Sequence, residues 1–412
     1  MIILPSEITL LRSREKQTIR TDREEYSFYF DNFIYPLHAD YDVKIICDYG
    51  RNYGDKWVIS DFPYCIDSFP LTIAVYGENG KLLEEKNCIV CLREKDTATN
   101  PFRVLIAMGD SMTQAQTYLE HIAMKLKNIS FLGSRSFNGI IAHEGRGGFS
   151  TADYRFKYQD PYAPSPYVFP KGIPARQYYG DITFWNKVNS DAASDPYVYD
   201  GYLPKALRDG MVYNREGALY CVQNGQETLF DKSPEWEFNF SKYMEQNQFE
   251  NVDAISILIG TNDIMKYGYD NAEAGIAATM DNLTAMIHSI RAYDKQIPII
   301  LNPPILPTQD AYAFGNNFGC RKSCKESRYV GFRYLKAFLE AWDNRAKDRI
   351  YLTPMNAVID PVLAFRRDSF RDGLYYSNVS IRTGESIHPN SAGYAQMGDA
   401  LAAVIQRLRI EQ

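Results

Sequence analysis

A serine that follows a short apolar run is the first residue of the chain that could do chemistry. Ser111 ends the tripeptide Gly-Asp-Ser at 109–111, directly after the apolar residues 104–108. The apolar run predicts a strand buried on both faces, and the apolar spacing within 113–127 predicts a helix. Because N–H groups at a helix start favour negative charge, a hydroxyl at this turn is well placed to act as a nucleophile. A serine that only caps the helix would give the same local pattern.

A serine nucleophile needs a general base, and the sequence contains five histidines. We favour His388, which lies in the turn-like stretch Glu-Ser-Ile-His-Pro-Asn at 385–390, just before the last predicted helix. His143 precedes a glycine-rich run and is the second candidate. The other three lie within predicted amphipathic helices or in the N-terminal region: His121, His288 and His38.

An acid that orients the base is expected close to His388. Glu385 lies three residues before it, and glutamate fills this role in some serine hydrolases. Asp368 and Asp372 precede the same turn and are the alternatives. The spacing favours Glu385 without excluding the two aspartates.

Two stretches could donate hydrogen bonds to an oxyanion. The first is His-Glu-Gly-Arg-Gly-Gly at 143–148, where the backbone N–H of Gly145 could approach a substrate closely. The second is Gly-Thr-Asn-Asp at 260–263, which follows a predicted buried strand and offers the side-chain amide of Asn262. A tight turn and an Asx turn, respectively, would explain the same residues without a catalytic role.

Taken in order, these stretches resemble the sequence blocks of the SGNH hydrolases, also called the GDSL esterase and lipase family. The residues that match the four blocks are Ser111, Gly145, Asn262 and His388. The family usually has aspartate where this chain has Glu385, so the sequence departs from the pattern at the third member of the triad.

This resemblance covers about residues 102–410. It implies a three-layer, flavodoxin-like domain that hydrolyses esters through an acyl-enzyme and needs neither a cofactor nor a metal. It also implies an oxyanion hole made by the amides of Ser111 and Gly145 together with the side chain of Asn262.

The order of predicted elements indicates two domains. Residues 1–97 contain β-branched and aromatic runs and an Asn-Gly turn at 79–80, which together predict a small β-sandwich with a packing or docking role. After a polar, linker-like stretch at 94–101, strands alternate with helices across 102–412. Such alternation predicts a parallel sheet with helices on both faces, in which ligands bind at the carboxyl ends of the strands.

Residues 149–250 interrupt this alternation. They include 22 aromatic residues among 102, against 14% for the whole chain. A long insertion of this kind is typically a lid or a binding wall, and aromatic faces suit sugar rings. We therefore predict a small acyl ester, an acetyl ester in particular, on a carbohydrate. The alternative functions are a lipase or thioesterase for longer acyl chains and a non-catalytic carbohydrate-binding relative. The aromatic residues could also serve only to anchor the segment by packing.

Composition limits the classes of molecule that are expected to bind this chain. The net charge is −6 and no basic block stands out, so nucleic acid is not an expected partner. The apolar runs are too short to span a bilayer. The first residues lack the features of a signal peptide, so we expect a cytoplasmic location unless a leader has been trimmed. The expected partner is a small-molecule or carbohydrate ester, and the oligomeric state is open.

The cysteines predict thiols rather than a disulfide framework or a metal site. Seven is an odd number, spread over a long chain. Cys88 and Cys91 lie in a predicted strand with no second pair at zinc spacing, so we expect them to be buried thiols. Cys320 and Cys324 could pair, although nothing in the sequence demands it.

Overall fold

The computed structural model of the protein describes residues 1–13, 24–35, 41–63, 65–95, 102–137, 139–190, 205–371, 373, 375 and 377–411. Two of the residues singled out above, His38 and Asp372, lie outside the described residues, as do most of the linker-like stretch and residues 191–204 of the insertion.

The strands of the described residues are β1 (Glu7–Arg12), β2 (Tyr26–Tyr29), β3 (Tyr41–Ile46), β4 (Arg51–Asn52), β5 (Lys56–Ile59), β6 (Ser68–Gly77), β7 (Leu82–Glu94), β8 (Phe102–Gly109), β9 (Ile129–Leu132), β10 (Glu144–Gly145), β11 (Val168–Pro170), β12 (Tyr178–Asp181), β13 (Val212–Arg215), β14 (Ala218–Gln223), β15 (Gln226–Asp231), β16 (Trp236–Phe238), β17 (Ala254–Leu258), β18 (Ile299–Leu301), β19 (Ile350–Leu352), β20 (Arg367–Arg371) and β21 (Val379–Thr383).

The α-helices of the same residues are α1 (Ser111–Gln114), α2 (Thr117–Lys125), α3 (Thr151–Phe156), α4 (Ile182–Ser190), α5 (Phe240–Asn247), α6 (Thr261–Lys266), α7 (Ala272–Tyr293), α8 (Ala311–Phe318), α9 (Cys324–Trp342), α10 (Met355–Val358) and α11 (Ser391–Glu411).

A parallel sheet forms the centre of the molecule, which confirms the predicted α/β class. Its order is β10-β8-β17-β18-β19, with β9 pairing β8 on the same side as β10. The chain therefore runs outward from β8 in one direction and returns to place β17 on its other side. The carboxyl ends of neighbouring strands at such a reversal form the usual ligand crevice of an open α/β sheet. Gly109 pairs with both Gly145 and Leu258, so three strand ends lie level there.

Alternate residues of the sheet belong to two hydrophobic cores. On β8, Leu105 and Ala107 join the core that contains α2 and α11, whereas Ile106 and Met108 join the core that contains α7 and α9. A strand buried on both faces needs apolar side chains at every position, which explains the continuous apolar run before the Gly-Asp-Ser tripeptide.

The N-terminal region forms two sheets, β1-β7-β6-β3 and β2-β5-β4. The predicted β-sandwich is therefore seen in part, and the Asn-Gly turn joins β6 to β7 as predicted. Strand β1, which the sequence pattern missed, pairs in parallel with β7. Within the described residues the two sheets form no separate core, because most of their buried side chains belong to the same hydrophobic cluster as those of α2 and α11.

The helix predicted after Ser111 is two helices. The chain leaves α1 after Gln114 and begins α2 at Thr117, with Gln116 in the left-handed region at φ 64°. The Gln116 side chain donates to Glu120 (2.8 Å) and accepts the N–H of Phe137 (3.0 Å). These bonds hold a backbone conformation that a glutamine rarely adopts.

Most of the described aromatic residues of the insertion are buried and do not line an open wall. One group packs into the core shared with α7: Tyr154, Tyr167, Phe169, Phe240 and Tyr243. A second group forms a cluster of its own: Tyr179, Phe184, Trp185 and Tyr213. Packing that anchors the long segment accounts for most of the contacts of these side chains.

All seven cysteines are free thiols. Cys88 and Cys91 are buried, as predicted, and Cys320 and Cys324 do not form a disulfide. In the part of the chain that the structure describes, no helix combines the length and apolar character needed to span a membrane.

Candidate active site

Ser111 lies at the start of α1, immediately after β8. Asp110 caps this helix, since its carboxylate accepts the N–H of Met112 at 3.0 Å. Gly109 has no room for a side chain, because an added Cβ would lie 2.6 Å from the carbonyl oxygen of Leu258. Gly109 and Asp110 thus each have a structural role, and the turn leaves Ser111 partly open to solvent.

His388 is the partner of Ser111. The Ser111 Oγ and the His388 Nε2 are 2.8 Å apart, although 277 positions separate the two residues in the chain. The His388 side chain is 46% exposed. For the serine hydroxyl to donate to Nε2, the proton of a neutral imidazole must be on Nδ1.

Glu385 is the carboxylate that faces His388. Its Oε1 lies 3.6 Å from Nδ1 and also accepts the backbone N–H groups of Ile387 (3.0 Å) and His388 (3.4 Å). Burial alone would raise the pKa of Glu385, but the interaction with His388 and the Ile387 N–H outweigh burial and lower that pKa to about 2. The interaction with Glu385 raises the pKa of His388 above its ordinary value, against an opposing effect of burial.

The alternative carboxylates do not take this position in the described residues. Asp368 pairs with Arg366 at 2.9 Å and lies against Gly384. Asp372, as noted, is not described.

The turn that carries His388 is held from helix α8, a feature that the sequence did not reveal. The Asn317 Oδ1 accepts the N–H (2.9 Å) and the hydroxyl (2.7 Å) of Ser386. The side-chain amides of Asn316 and Asn317 donate to the carbonyl of Gly384, both at 3.3 Å. Nothing in the residue types of α8 distinguishes these asparagines from solvent-facing ones.

Asn262 lies on the first turn of α6, beyond the end of β17. Its Nδ2 donates to the carbonyl of Phe149 at 2.8 Å. Since a side-chain amide carries two hydrogens, one remains for another acceptor. The neighbouring Asp263 accepts the N–H (2.9 Å) and hydroxyl (2.8 Å) of Thr151. Both side chains therefore fix the loop that leads into α3.

The structure uses the N–H of Gly145 differently from the prediction. That N–H donates to Nδ1 of His143 at 3.1 Å, so it is not offered to an oxyanion. A Cβ on Gly145 would lie 2.2 Å from the backbone nitrogen of Gln114, which explains the glycine by close packing of β10 against α1. The assignment of Gly145 as an amide donor therefore conflicts with its hydrogen bonding.

Gly148 is the glycine of this run whose amide is open. It is exposed, has φ 77°, and its N–H meets no acceptor among the described residues. Its neighbour Phe149 accepts from Asn262, and the N–H of Gly147 donates to Gln114 of α1 at 2.6 Å. The residues on either side of Gly148 are therefore fixed, Gly147 by the helix that carries Ser111 and Phe149 by the Asn262 side chain.

His143, the second base candidate, is fully buried and does not contact Ser111. Burial, together with the nearby Arg135 and Arg146, lowers the pKa of His143 to about 3. It is thus a neutral imidazole that accepts from Gly145. His121 pairs with Asp399 at 2.7 Å, as expected of a structural histidine.

A buried polar network supports the glycine-rich loop and was not predicted. Glu144 and Arg146 form an ion pair at 2.6 Å in which both side chains are inaccessible. Tyr243 (2.6 Å) and Ser134 (3.0 Å) donate to the same carboxylate. The Tyr154 hydroxyl lies within hydrogen-bond distance of the carbonyls of Gly109 (2.8 Å) and Glu144 and shares its one hydrogen between them. This contact joins the end of β8 to β10.

No cluster of three or more histidine, cysteine, aspartate or glutamate side chains within the described ranges could hold a metal ion. The groups brought together at the strand ends are instead a hydroxyl, an imidazole, a carboxylate, an open backbone amide and a side-chain amide. That set can activate a hydroxyl nucleophile and hold an oxyanion.

Comparison with known structures finds distant likenesses. An acetyl esterase mutant with an acetate ion has 13% identity and a TM-score of 0.35, with 75% of this chain and 98% of that chain covered. A carbohydrate esterase family 3 protein from Talaromyces cellulolyticus also has 13% identity and a TM-score of 0.35, covering 75% of this chain and 99% of the other. At these scores the likenesses are too distant to bear on activity. No curated protein matches the sequence.

A family model does match. The model of the GDSL-like Lipase/Acylhydrolase family aligns with residues 187–396, just over half of the chain. The aligned residues include Asn262, Glu385 and His388, and they begin after Ser111. The chain belongs to the GDSL-like lipase/acylhydrolase family, a family of carboxylic ester hydrolases.

Proposed function

We propose that the protein is a serine esterase in which Ser111, His388 and Glu385 act as the catalytic triad. The observation that carries this proposal is the 2.8 Å contact between the Ser111 Oγ and the His388 Nε2 at the carboxyl ends of β8 and its neighbours. A non-catalytic relative would have no need for this pair, nor for a carboxylate placed against the other imidazole nitrogen.

In the proposed reaction, His388 accepts the proton of Ser111 while the Oγ attacks the ester carbonyl. Glu385 stabilises the imidazolium that forms. His388 then gives its proton to the leaving alcohol, which leaves an acyl-enzyme. A water molecule, deprotonated by His388, attacks the acyl carbonyl, and the carboxylic acid departs as Ser111 recovers its proton.

The oxyanion is held, in this proposal, by the N–H groups of Ser111 and Gly148 and by the second hydrogen of the Asn262 amide. The Ser111 N–H is at the open start of α1 and meets no acceptor in the described chain. Gly148 takes the role first predicted for Gly145, because only the former has a free amide.

We propose a small acyl group, an acetyl group in particular, on a carbohydrate alcohol. The support is the openness of the site: His388 is nearly half exposed, and polar side chains such as Asn316 and Arg366 surround its turn. A bulky hydrophilic alcohol can approach such a pair from solvent. The insertion aromatics do not support this choice, since most of them are buried.

A lipase is the second candidate, and one observation favours it. The segments that flank His388 expose large apolar side chains: Leu363 (62%), Val379 (65%) and Ile381 (66%). Exposed apolar groups near a catalytic pair could receive a longer acyl chain.

Chain-length profiles separate the two candidates. We expect kcat/KM on p-nitrophenyl esters to peak at acetate and fall beyond butyrate, and acetylated sugars to be deacetylated faster than acetates of simple alcohols. A rate that rises through octanoate would establish the lipase instead. A fluorophosphonate probe should label the wild type but not Ser111→Ala, and labelling of both would remove Ser111 from the mechanism.

A further inference from the structure

We propose that a cavity lined mostly by the insertion binds a small organic anion that has one ring and one carboxylate, at a site separate from Ser111. The cavity has a volume of about 330 Å³. Ligand pockets begin at about this size, so the space suits a single-ring molecule. Neither Ser111 nor His388 is among its lining residues.

Flat aromatic side chains make up much of the cavity wall. They include Tyr158, Phe169, Tyr178, Phe184, Trp185 and Phe249. Tyr158 is braced from behind by Trp236, with the two rings stacked 4.4 Å apart at 3°. Gly180 has φ 108°, and a Cβ there would lie 2.8 Å from the Trp185 nitrogen, so this glycine makes room for the indole. Rigid aromatic faces favour a ligand with a ring that can pack against them.

Lys205 supplies the charge that selects the ligand. Its Nζ lies 4.6 Å from the centre of the Trp185 ring. No carboxylate of the described residues lies within ion-pair distance of it, and burial lowers the pKa of Lys205 to about 8. The described residues thus leave this mostly buried ammonium group without a counter-ion, which is an unfavourable arrangement. A ligand carboxylate would provide the missing charge.

Two other polar side chains of the wall, Asp181 and Gln246, already have structural partners. Asp181 accepts the backbone N–H groups of Thr183 (2.9 Å) and Asp160 (3.0 Å). The Gln246 amide donates to the carbonyl of Tyr178 at 2.7 Å. The carboxylate of Asp181 therefore braces the wall, and Lys205 remains as the group that can recognise a charged ligand.

Two sources could supply such a ligand, a sugar acid or an aromatic acid, and calorimetric titration of the full-length protein distinguishes them. Each acid is paired with a neutral compound of similar shape: D-glucuronate with D-glucose, and 4-hydroxybenzoate with 4-hydroxybenzyl alcohol. We expect one acid to bind at least about tenfold more tightly than its neutral partner, the usual worth of a hydrogen bond to a charged group. The pair that shows this preference identifies the source.

Three variants locate the binding. Lys205→Met keeps the length of the side chain without its charge and should abolish the preference for the acid. Lys205→Arg should retain it, as should Lys232→Met, which removes an exposed lysine of the same insertion. Unfolding temperatures of the variants report whether each one folds. The proposal is overturned if neither acid binds, or if an acid binds equally well to the wild type and to folded Lys205→Met.

Discussion

At the scale of single residues, the charge on Glu385 should set the pH at which the enzyme becomes active. His388 can accept a proton only when it is neutral, so kcat/KM falls as the pH drops through its pKa. Because Glu385 raises that pKa, the acid limb of the wild type should lie above the ordinary value of about 6.5. In Glu385→Gln the limb should move to lower pH, and kcat should fall by about 10²–10⁴-fold.

Asp368→Asn is the control for this prediction, because Asp368 pairs with Arg366 and not with His388. Its pH profile should match that of the wild type. If Asp368→Asn moves the limb and Glu385→Gln does not, the third triad role belongs to Asp368.

The open amide of Gly148 gives a second prediction at this scale. An alanine at φ 77° is strained, by about 1–2 kcal/mol, and the loop should rotate its N–H away from the oxyanion. Losing one oxyanion donor typically lowers kcat by about 10²–10³-fold with little change in KM. Gly148→Ala should show this loss in steady-state kinetics on p-nitrophenyl acetate.

Gly172→Ala is a matched control, since Gly172 has φ 75° and, like Gly148, open space around its missing Cβ. Both variants should lose similar stability in thermal unfolding, while only Gly148→Ala loses activity. Equal kinetic losses in the two variants would mean that strain, and not the amide, is responsible.

At the scale of elements, the Tyr154 hydroxyl should matter because it joins two strand ends. Tyr154→Phe leaves the Glu144 carbonyl and the Gly109 N–H without this partner in a buried site. We expect a loss of about 1–3 kcal/mol in the free energy of unfolding, measured by urea denaturation, and a fall in kcat without a matching rise in KM. Tyr293→Phe, which removes a hydroxyl at a more exposed position, should change neither quantity appreciably.

Local pattern predicts the parts of the site that depend on one segment and misses those that depend on several. Ser111 directly follows the apolar run of β8, and His388 lies just before the apolar pattern of α11. Both residues could therefore be assigned to element ends from the sequence. The run at 143–148 contains three glycines, and residue types alone cannot reveal which of their amides is already bonded. The Gly145 N–H bonds the ring of the nearby His143, whereas the Gly147 N–H bonds Gln114 from another segment. Gln116 interrupts the predicted helix, and its side chain accepts a hydrogen bond from the N–H of Phe137. The apolar spacing of the helix gives no sign of this contact with another segment.

Residue type also misleads where burial decides the role. Tyrosine serves equally in a binding wall and in a core, and the insertion uses most of its aromatic residues for packing. Strand β1 was missed because its register depends on β7, far along the chain. The class of the central sheet, by contrast, was predictable because double burial imposes continuous apolar runs.

At the scale of the whole molecule, the N-terminal sheets should not be separable from the rest. Their side chains share one hydrophobic cluster with α11. Arg328 of α9 donates to the carbonyls of Pro307 and Asp31, and Ser6 bonds to Asp343 at 2.6 Å. We therefore expect one cooperative transition in calorimetry of the full chain, and aggregation of a chain that begins at residue 98. Two resolved transitions would indicate independent domains.

The wide separation of Ser111 and His388 has a consequence for how activity arises during synthesis. A ribosome that adds about 5–20 residues per second needs roughly 14 to 55 seconds to pass from the serine codon to the histidine codon, 277 positions later. Throughout that interval the nascent polypeptide carries the proposed nucleophile without its proposed base. Even afterwards, α11 must leave the exit tunnel and dock before the histidine turn is held. An unfinished or prematurely released chain should therefore be hydrolytically silent, and esterase activity should appear only with the completed polypeptide.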